Sequence, residues 1–299
     1  MWKKEGLIFN DHHSQVPVVD EYDGFYRVYY STRVDGKSLP MFIDVDKKNP
    51  KKIINKSITP ILNLGERGSF DWAGIMPTEI KTVNNIKYLY YIGWSLRHDV
   101  PYHNNLGLAI SKDGGNKWEK YSKGPILSTS HKEPGYIGTV SILIEDGVWR
   151  MWYLSCLDWV ESDIGIEPTY DIKYAESTDG INFEPLGFTC VPIEGDEGGI
   201  SSQRVLNIDG KYIMWYSVRN KYDYRFNVKN SYRIKKSTSD DGFKWVKDDN
   251  IEVDIGEKNE WDGVMTCYPF IIRNNNDKLI MFYNGNGFGK SGFGYAIKN

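Results

Sequence analysis

Acidic residues recur at matching places along the chain and are the first candidates for chemistry. Asp11, Asp71 and Glu197 each precede a strand-like apolar segment by the same spacing, and Glu133 and Asp262 lie one residue further out. Carboxylates that converge on one pocket can divide the acid and base roles of glycosidic bond cleavage. We therefore predict Asp11, Asp71 and Glu197 as catalytic residues. The alternative is a structural role, because a residue that recurs in every repeat can serve to hold the backbone.

Arginines also recur at one position. Arg33, Arg97 and Arg219 each stand two residues after a serine at the end of a predicted strand, and Arg204 lies near the start of another strand. Guanidinium groups around a pocket can bind a carboxylate, phosphate or sulfate through two hydrogen bonds. We predict that these four arginines bind an anionic group. The alternative is that they pair with nearby acids and hold the repeats together.

Aromatic residues and histidines fall in the same segments. Aromatic rings stack on the C–H faces of sugars, although packing in the core is the commoner role of any single ring. The five histidines match no compact metal-binding motif, so no metal site is predicted. The remaining residues predicted to bind substrate are His13, Gln15, Trp72, Trp94, Asp262 and Tyr268.

A repeated pattern of strands positions these residues. Each copy has an apolar strand, a tight turn rich in Asp, Asn and Gly, and a second strand rich in Tyr, Trp and Met. The copies span residues 16–30, 77–91, 140–153, 204–216 and 269–283. In the copies that continue most clearly, a third strand leads into a Ser-Asp-Gly turn, at 111–118, 177–183 and 239–245. Four strands per repeat are typical of β-propellers.

The ends of the chain extend the same pattern. Residues 293–297 form a third strand with no fourth strand after it, and residues 2–9 resemble the fourth strand at 118–127. We predict an all-β, five-bladed β-propeller of four-stranded antiparallel blades, in which the N-terminal strand closes the last blade. The whole chain, 1–299, is then one domain. An irregular β-sandwich is the alternative.

Long connections are predicted on one face of this fold. The connections from second to third strands, at 93–105, 154–171 and 217–231, are long, and so are the segments that lead into first strands. In a propeller both sets lie around the mouth of the central channel. Long loops on a rigid scaffold commonly form binding sites, so the candidate residues are expected to meet there.

Composition limits the classes of partner. A net charge of -3 over 299 residues gives no electrostatic case for nucleic acid, and no apolar stretch is long enough for membrane insertion. The first residues lack the apolar run of a signal peptide, so we expect a cytoplasmic protein. Cys156, Cys190 and Cys267 are widely spaced and predict neither a disulfide framework nor a zinc site.

The strand repeats and the Ser-Asp-Gly turns together resemble the five-bladed propeller glycosidases of glycoside hydrolase families 32, 43, 68, 117 and 130. The resemblance covers nearly the whole chain and implies the fold more strongly than the reaction. The turns also resemble the Asp boxes of sialidases, which generally have six blades. In the glycosidase families an Asp directly precedes Pro on the first strand of early blades. Here Val16 and Met76 precede Pro17 and Pro77, and Gly138 stands where the third acid is expected.

The predicted function is a carbohydrate-active propeller, an enzyme that cleaves a glycosidic bond of a polar or anionic sugar by hydrolysis or phosphorolysis. Its partner is a carbohydrate or sugar derivative, and hydrolysis by water needs no cofactor. The missing Asp-Pro motifs leave a second interpretation open, a non-catalytic carbohydrate-binding or accessory propeller in surface-polysaccharide metabolism. A protein-interaction propeller is the third.

Overall fold

Nearly all of the regular structure is β-strand. A computed structural model describes residues 1–162, 165–274 and 276–298. The strands are β1 (Lys3–Phe9), β2 (Gln15–Glu21), β3 (Phe25–Val34), β4 (Lys37–Asp46), β5 (Ile53–Lys56), β6 (Gly74–Val83), β7 (Ile86–Leu96), β8 (Tyr102–Ser111), β9 (Glu119–Lys120), β10 (Ile137–Glu145), β11 (Val148–Ser162), β12 (Gly165–Ser177), β13 (Glu184–Val191), β14 (Glu197–Ile208), β15 (Lys211–Asn220), β16 (Arg233–Ser239), β17 (Val246–Val253), β18 (Cys267–Arg273), β19 (Leu279–Asn284) and β20 (Phe293–Lys298). A short helical segment, α1 (Asn286–Gly289), precedes β20. Within the described part of the chain, no helix has the length and apolar character to cross a membrane.

Antiparallel pairing joins the strands in sets of four, which we call units and name for their first strands. The β2 unit runs β2-β3-β4-β5, and the β6 unit runs β6-β7-β8-β9. The β10 unit is β10-β11-β12-β13 and the β14 unit is β14-β15-β16-β17. The β18 unit is β18-β19-β20-β1, in which Lys3 pairs with Ile297 and Phe9 with Phe293. The predicted pairing of the N-terminal strand with the C-terminal strand is therefore present.

The turns inside the units follow the sequence signals. Asp146, Asp209 and the Asn84-Asn85 pair adopt the positive φ that tight hairpins require. In the Ser-Asp-Gly turns, the serine hydroxyl accepts a hydrogen bond from a glycine N–H, at 2.8 Å for Ser111 and 3.0 Å for Ser177. Backbone N–H groups donate to the neighbouring aspartate and lower its pKa, as at Asp179. These turns are local structures that the sequence alone predicts.

Two of the three predicted long loops are in fact paired strands. Gly93 pairs with Asn105 and Leu96 with Tyr102, so β7 and β8 leave only a short connection. The hairpin of β11 and β12 stays paired out to Ser162 and Gly165. Aromatic side chains explain the extension, because the rings of Tyr102 and Trp159 pack 5.5 Å apart across the two hairpins. Only the 217–231 connection contains a long segment without strand.

Aromatic side chains pack between neighbouring units around a closed circle. Each contact joins one unit to the next, and the last joins the β18 unit to the β2 unit. The ring pairs are Tyr29–Trp118 at 5.8 Å, Tyr88–Trp149 at 5.3 Å, Trp152–Trp245 at 6.0 Å, Trp2–Trp215 at 6.2 Å and Tyr26–Phe282 at 6.1 Å. The high aromatic content thus serves the core in large part. Cys156, Cys190 and Cys267 are buried as free thiols.

First strands surround a central channel, and each carries a β-bulge near its start. The pairing register shifts between Gln15 and Val18 in β2, and between Pro77 and Glu79 in β6. Similar shifts occur in β10, β14 and β18. A bulge places an extra residue in one strand and turns its side chain in a new direction. Residues from all these strands line a narrow cavity of about 20 Å³ on the channel axis.

An ion pair closes the channel beyond this narrow cavity. Arg204 of β14 donates to Glu79 of β6 at 2.5 Å and to the carbonyl of Ile271 in β18 at 3.0 Å. Glu79 also accepts from the backbone N–H of Ile142 in β10 at 3.0 Å. Burial alone would raise the pKa of Glu79, but Arg204, Lys81 and two backbone N–H groups lower it. One buried ion pair therefore connects the first strands of four units.

We predict that Glu79→Gln destabilises the fold by about 3–5 kcal/mol, because it leaves the buried guanidinium of Arg204 without its counter-charge. Urea denaturation of the two proteins measures the difference. Asp240→Asn is the control, since the Lys211–Asp240 pair is exposed and its loss should cost less than about 1 kcal/mol. A similar small loss for both variants would contradict a structural role for the axial pair.

Candidate functional site

A cavity of about 460 Å³ opens above the narrow channel. Bulged residues of the first strands form its floor, and the ends of β3, β7 and β12 with the 224–232 segment form its walls. This volume lies within the usual range of small-molecule sites, about 300–1,000 Å³. Val16, Met76 and Gly138, the positions where the resemblance to propeller glycosidases implies acids, all line the cavity. None of the three has a side chain that can transfer a proton.

Three residues of the floor have strained backbones. Val16, Ser202 and Tyr268 lie within the bulges and have φ of 52°, 49° and 56°. A β-branched residue such as Val16 is rarely found with positive φ, because its side chain crowds the backbone. Side chains of neighbouring units hold the strained N–H groups, as Asn284 does for Val16 at 2.8 Å and Ser217 for Tyr268 at 2.7 Å. Strain of this kind is concentrated at functional sites.

Polar groups without partners also lie at the cavity. The hydroxyls of Ser201 and Ser202 and the indole N–H of Trp94 are buried and have no hydrogen-bond partner in the described structure. All three residues line the cavity. A buried polar group without a partner costs free energy, and such groups are uncommon in native proteins. Their position is consistent with hydrogen bonds to a ligand.

Tyrosines form much of the cavity wall. The cavity-lining tyrosines are Tyr102, Tyr136, Tyr170, Tyr224, Tyr232 and Tyr268. The hydroxyls of Tyr170 and Tyr232 form a very short hydrogen bond, and Arg219 donates through Nε to the Tyr170 hydroxyl at 3.1 Å. Arg219 is fully buried behind this wall, and its other N–H groups donate to backbone carbonyls. It forms no ion pair with the described carboxylates, although the charge of Glu167 acts on it, and its guanidinium lies against the rings of Tyr170 and Tyr224.

Two arginines reach the cavity itself. Arg33 lines it with only a weak 3.3 Å hydrogen bond to Gln15 and no ion pair with a described carboxylate. Arg225 lines it while donating to Glu167 at 2.7 Å. Among the described lining residues there is no aspartate or glutamate. Arg33, Arg219 and Arg225 are thus opposed locally by Glu167, and the cavity has an excess of positive charge.

His13 is the titratable base of the cavity. Its Nε2 donates to the carbonyl of Phe288 at 3.1 Å, which makes Nε2 the protonated nitrogen and leaves Nδ1 as an acceptor. Burial lowers the pKa of His13, the hydrogen bond to Phe288 opposes that effect, and the charges of Arg33 and Lys290 lower the pKa further. The imidazole is therefore held neutral at physiological pH.

The structure brings together some of the predicted residues and separates others. His13, Gln15, Arg33, Trp94 and Tyr268 all line the cavity. The predicted residues outside its lining are Asp11, Trp72, Asp71, Arg97, Glu197, Arg204, Arg219 and Asp262. Lys37 lies over the ring of Trp72, Arg97 pairs with Asp99 at 3.6 Å, and Arg204 belongs to the axial ion pair. Arg219 lies behind the lining, where it donates to the Tyr170 hydroxyl and stacks over the ring of Tyr224.

The recurring acids form repeated ion pairs with lysines instead of a facing pair across the cavity. Asp71 pairs with Lys120 at 2.5 Å, and the equivalent residues pair as Asp11–Lys56 at 3.2 Å, Glu133–Lys173 at 3.2 Å, Glu197–Lys247 at 2.5 Å and Asp262–Lys4 at 2.8 Å. Tyrosines from second strands add hydrogen bonds, as Tyr91 does to Asp71 and Tyr283 to Asp262. These contacts match the structural alternative, in which the acid fastens the segment that leads into each first strand.

Several cavity residues were absent from the sequence prediction, among them Ser201, Ser202, Arg225 and Tyr232. Arg225 and its neighbours lie in the 217–231 segment, whose length did indicate a binding loop. Ser201 and Ser202 occupy the bulge of β14. A bulge depends on pairing with another strand, so composition gave no signal for them. Within the described residues, no group of three His, Cys, Asp or Glu side chains could hold a metal ion.

We predict that Asp71→Asn destabilises the protein by about 1.5–3 kcal/mol, because the buried carboxylate loses its charge-assisted bond from Lys120. Asp11→Asn is a matched control at the equivalent position, where both partners are half exposed and the loss should be below about 1 kcal/mol. Chemical denaturation measures both. An unchanged stability of Asp71→Asn would contradict the structural role and return Asp71 to the catalytic candidates.

His13 should titrate below the ordinary imidazole pKa of about 6.5. NMR titration of the imidazole C–H signals, with His13→Gln to assign the resonance, measures this midpoint. Arg33→Gln should raise the pKa of His13, because a neighbouring positive charge is removed. Arg97→Gln is the control, since the charge of Arg97 acts on His103. A midpoint above 6.5 in the unmodified protein would contradict the assignment of a neutral imidazole.

No family model matches the chain. It is 31% identical over 311 residues to two Mycobacterium tuberculosis proteins, Uncharacterized protein Rv1502 of strain ATCC 25618 / H37Rv and Uncharacterized protein MT1551 of strain CDC 1551 / Oshkosh. The alignment covers 99% of this chain and 98% of each relative.

Solved structures of glycoside hydrolases share the fold. A glycoside hydrolase superposes with a TM-score of 0.75 at 16% identity, covering 99% of this chain and 90% of that chain. A thermostable family-43 glycoside hydrolase superposes with a TM-score of 0.71 at 16% sequence identity, covering 99% of this chain and 91% of that chain. A structure from the GH130 family of mannoside phosphorylases superposes with a TM-score of 0.68 at 15% sequence identity, covering 97% of this chain and 85% of that chain. The chain has the glycosidase-like propeller fold, and it belongs to the same family as the mycobacterial protein Rv1502.

Proposed function

We propose that the chain is one five-bladed propeller domain whose central cavity binds a carbohydrate that carries a carboxylate or another anionic group. In this proposal each four-stranded unit is one blade. The circular order of aromatic contacts between units supports it, as does the narrow channel lined by residues of every first strand. Residues 1–299 then share one channel and one site.

The cationic cavity is the observation that carries the proposal. Arg33 lines it without an ion pair to a described carboxylate, Arg225 offers a second guanidinium, and Arg219 adds charge from behind the wall. The described lining residues carry no carboxylate that would repel an anion. A bidentate bond from a guanidinium to a carboxylate would satisfy Arg33 and offset the local excess of positive charge.

Other features of the cavity suit a sugar. Tyr170, Tyr224 and Tyr268 offer aromatic surface for the C–H faces of a ring. The buried hydroxyls of Ser201 and Ser202, which have no partner in the described structure, are donors for the ring hydroxyls of a bound sugar. The glycoside hydrolases with the same fold make carbohydrate the ligand class to test first.

A glycoside hydrolase that uses Asp11, Asp71 and Glu197 is the second candidate, and it rests on the fold of the solved neighbours. Hydrolysis by paired carboxylates needs two carboxyl groups about 5–10 Å apart, one on each side of the glycosidic bond that is cleaved. The three acids lie outside the cavity lining and are each paired with a lysine, which favours binding over this form of hydrolysis. Release of reducing sugar that depends on Asp71 or Glu197 would reverse that preference.

Binding should depend on Arg33 and on the charge of the ligand. Isothermal titration with galacturonate and glucuronate oligomers, and with their neutral galactose and glucose counterparts, should show tighter binding of the uronates. Arg33→Ala should weaken uronate binding about 10- to 100-fold, as expected for the loss of a hydrogen bond to a charged group. Arg97→Ala is the control, because Arg97 pairs with Asp99 outside the cavity lining. Equal binding of charged and neutral sugars would contradict the proposal.

A further inference from the structure

The chemistry of the cavity differs from that of a carboxylate-based glycosidase. Its described lining residues supply imidazole, guanidinium and phenol groups but no carboxyl group. Hydrolysis by paired carboxylates therefore lacks its reacting groups there. The groups that are present suit a different cleavage of an anionic sugar chain, one that begins with removal of a proton from carbon. The carbon next to a carboxylate can lose its proton to a neutral base when nearby cations stabilise the negative charge that forms.

His13 has the properties of that base. Its Nε2 proton is committed to the carbonyl of Phe288, so the lone pair is on Nδ1, which has no partner in the described structure. Arg33 and Lys290 disfavour the imidazolium, which keeps the imidazole ready to accept a proton. A base must be unprotonated before it reacts, and this arrangement fixes both its charge and its tautomer.

Tyr170 and Tyr232 form a phenol pair that can act as the acid. Their hydroxyls bond to each other, and Arg219 donates to the oxygen of Tyr170 at 3.1 Å. When a tyrosine gives up its proton, the negative charge develops beside a buried guanidinium that has no carboxylate partner in the described structure. Arg219 thus places a fixed positive charge beside the oxygen on which negative charge would develop. Arg219 is thus a positioning residue behind the acid.

Phe288 connects the base to the acid. Its carbonyl holds His13, and its ring packs 6.0 Å from the ring of Tyr232. His13, Tyr170 and Tyr232 all line one cavity of about 460 Å³. Arg33 has no ion pair with a described carboxylate, and Arg225, whose Nε and Nη2 donate to Glu167, keeps Nη1 for the carboxylate of a bound sugar ring.

We propose that the cavity catalyses β-elimination in chains of 4-linked uronate, an inference that rests on the proposed binding of an anionic sugar. Arg33 and Arg225 bind the C6 carboxylate and stabilise the charge that forms when His13 Nδ1 removes the C5 proton. The C5 electron pair forms the C4=C5 double bond as the bond from C4 to the glycosidic oxygen breaks. Tyr170 or Tyr232 donates its proton to that oxygen. The products are a chain that begins with a 4,5-unsaturated uronate and a chain whose last sugar carries the glycosidic oxygen as a C1 hydroxyl, which is a new reducing end, and proton exchange with water restores the imidazole and the phenol.

The test follows two products of the same reaction. Oligomers of 4-linked galacturonate, glucuronate and mannuronate are incubated with the full chain while ultraviolet absorbance reports the conjugated double bond and a second assay reports reducing ends. We expect both signals to rise together with one of these oligomers. Substrate deuterated at C5 should react more slowly, because the C5 bond breaks in the proposed step.

Variants separate catalysis from binding. His13→Gln and Tyr170→Phe should lower kcat at least 100-fold, a typical contribution of general acid–base catalysis, while titration calorimetry still detects the uronate. If Tyr232 is the donor, Tyr232→Phe should show that loss in place of Tyr170→Phe. Arg97→Ala is the matched control and should keep full activity. Normal thermal unfolding of each variant excludes misfolding as the cause.

Each outcome identifies what has failed. Reducing ends without the ultraviolet signal would overturn elimination and indicate hydrolysis, leaving the binding proposal intact. Uronate binding with neither signal would overturn elimination and support a non-catalytic propeller. Absence of uronate binding would overturn the proposed function itself. Full activity of both His13→Gln and the two phenylalanine variants would overturn the assignment of the base and the acid.

Discussion

The axial ion pair of Glu79 and Arg204 is the constraint on which the rest of the structure depends. It joins β6 and β14 across the channel, while the carbonyl of Ile271 and the N–H of Ile142 bring in β18 and β10. A buried charge is tolerated only when its partner and its remaining hydrogen bonds are in place, so the pair fixes how closely these strands approach. It also closes the channel beneath the cavity. A ligand therefore meets a floor, and the floor geometry follows from the spacing that the ion pair sets.

The outer parts of the units are held by a repeated contact of a different kind. An acid before each first strand bonds to a lysine, as in Asp71–Lys120, Glu197–Lys247 and Asp262–Lys4. These pairs fasten segments that would otherwise be free loops, and aromatic rings fill the space between units. With both ends of the first strands held, the bulged residues between them can keep the strained conformations seen at Val16, Ser202 and Tyr268.

The cavity is lined by both positively charged side chains and residues with strained backbones. The floor contains buried hydroxyls without partners in the described structure, and the wall combines Arg33 and Arg225 with a tyrosine pair that Arg219 contacts from behind. His13 is kept neutral by burial and by the same positive charges that favour an anionic ligand. Val16, Met76 and Gly138 line the same cavity and supply no carboxylate. This propeller scaffold thus presents guanidinium, imidazole and phenol groups around a cavity whose described lining contains no carboxylate.

The sequence by itself determined the all-β repeat, the hairpin turns and the closure by the N-terminal strand, because turn chemistry and alternating strand patterns are local properties. It also predicted His13, Gln15, Arg33, Trp94 and Tyr268 as binding residues, and all five line the cavity. Only the tertiary structure revealed the ion pairs of Asp71, Glu197 and Arg204, because a pair such as Glu79–Arg204 joins residues far apart in the chain. The bulges at Ser202 and Tyr268 likewise arise from strand pairing, and pairing decides which side chains enter the cavity.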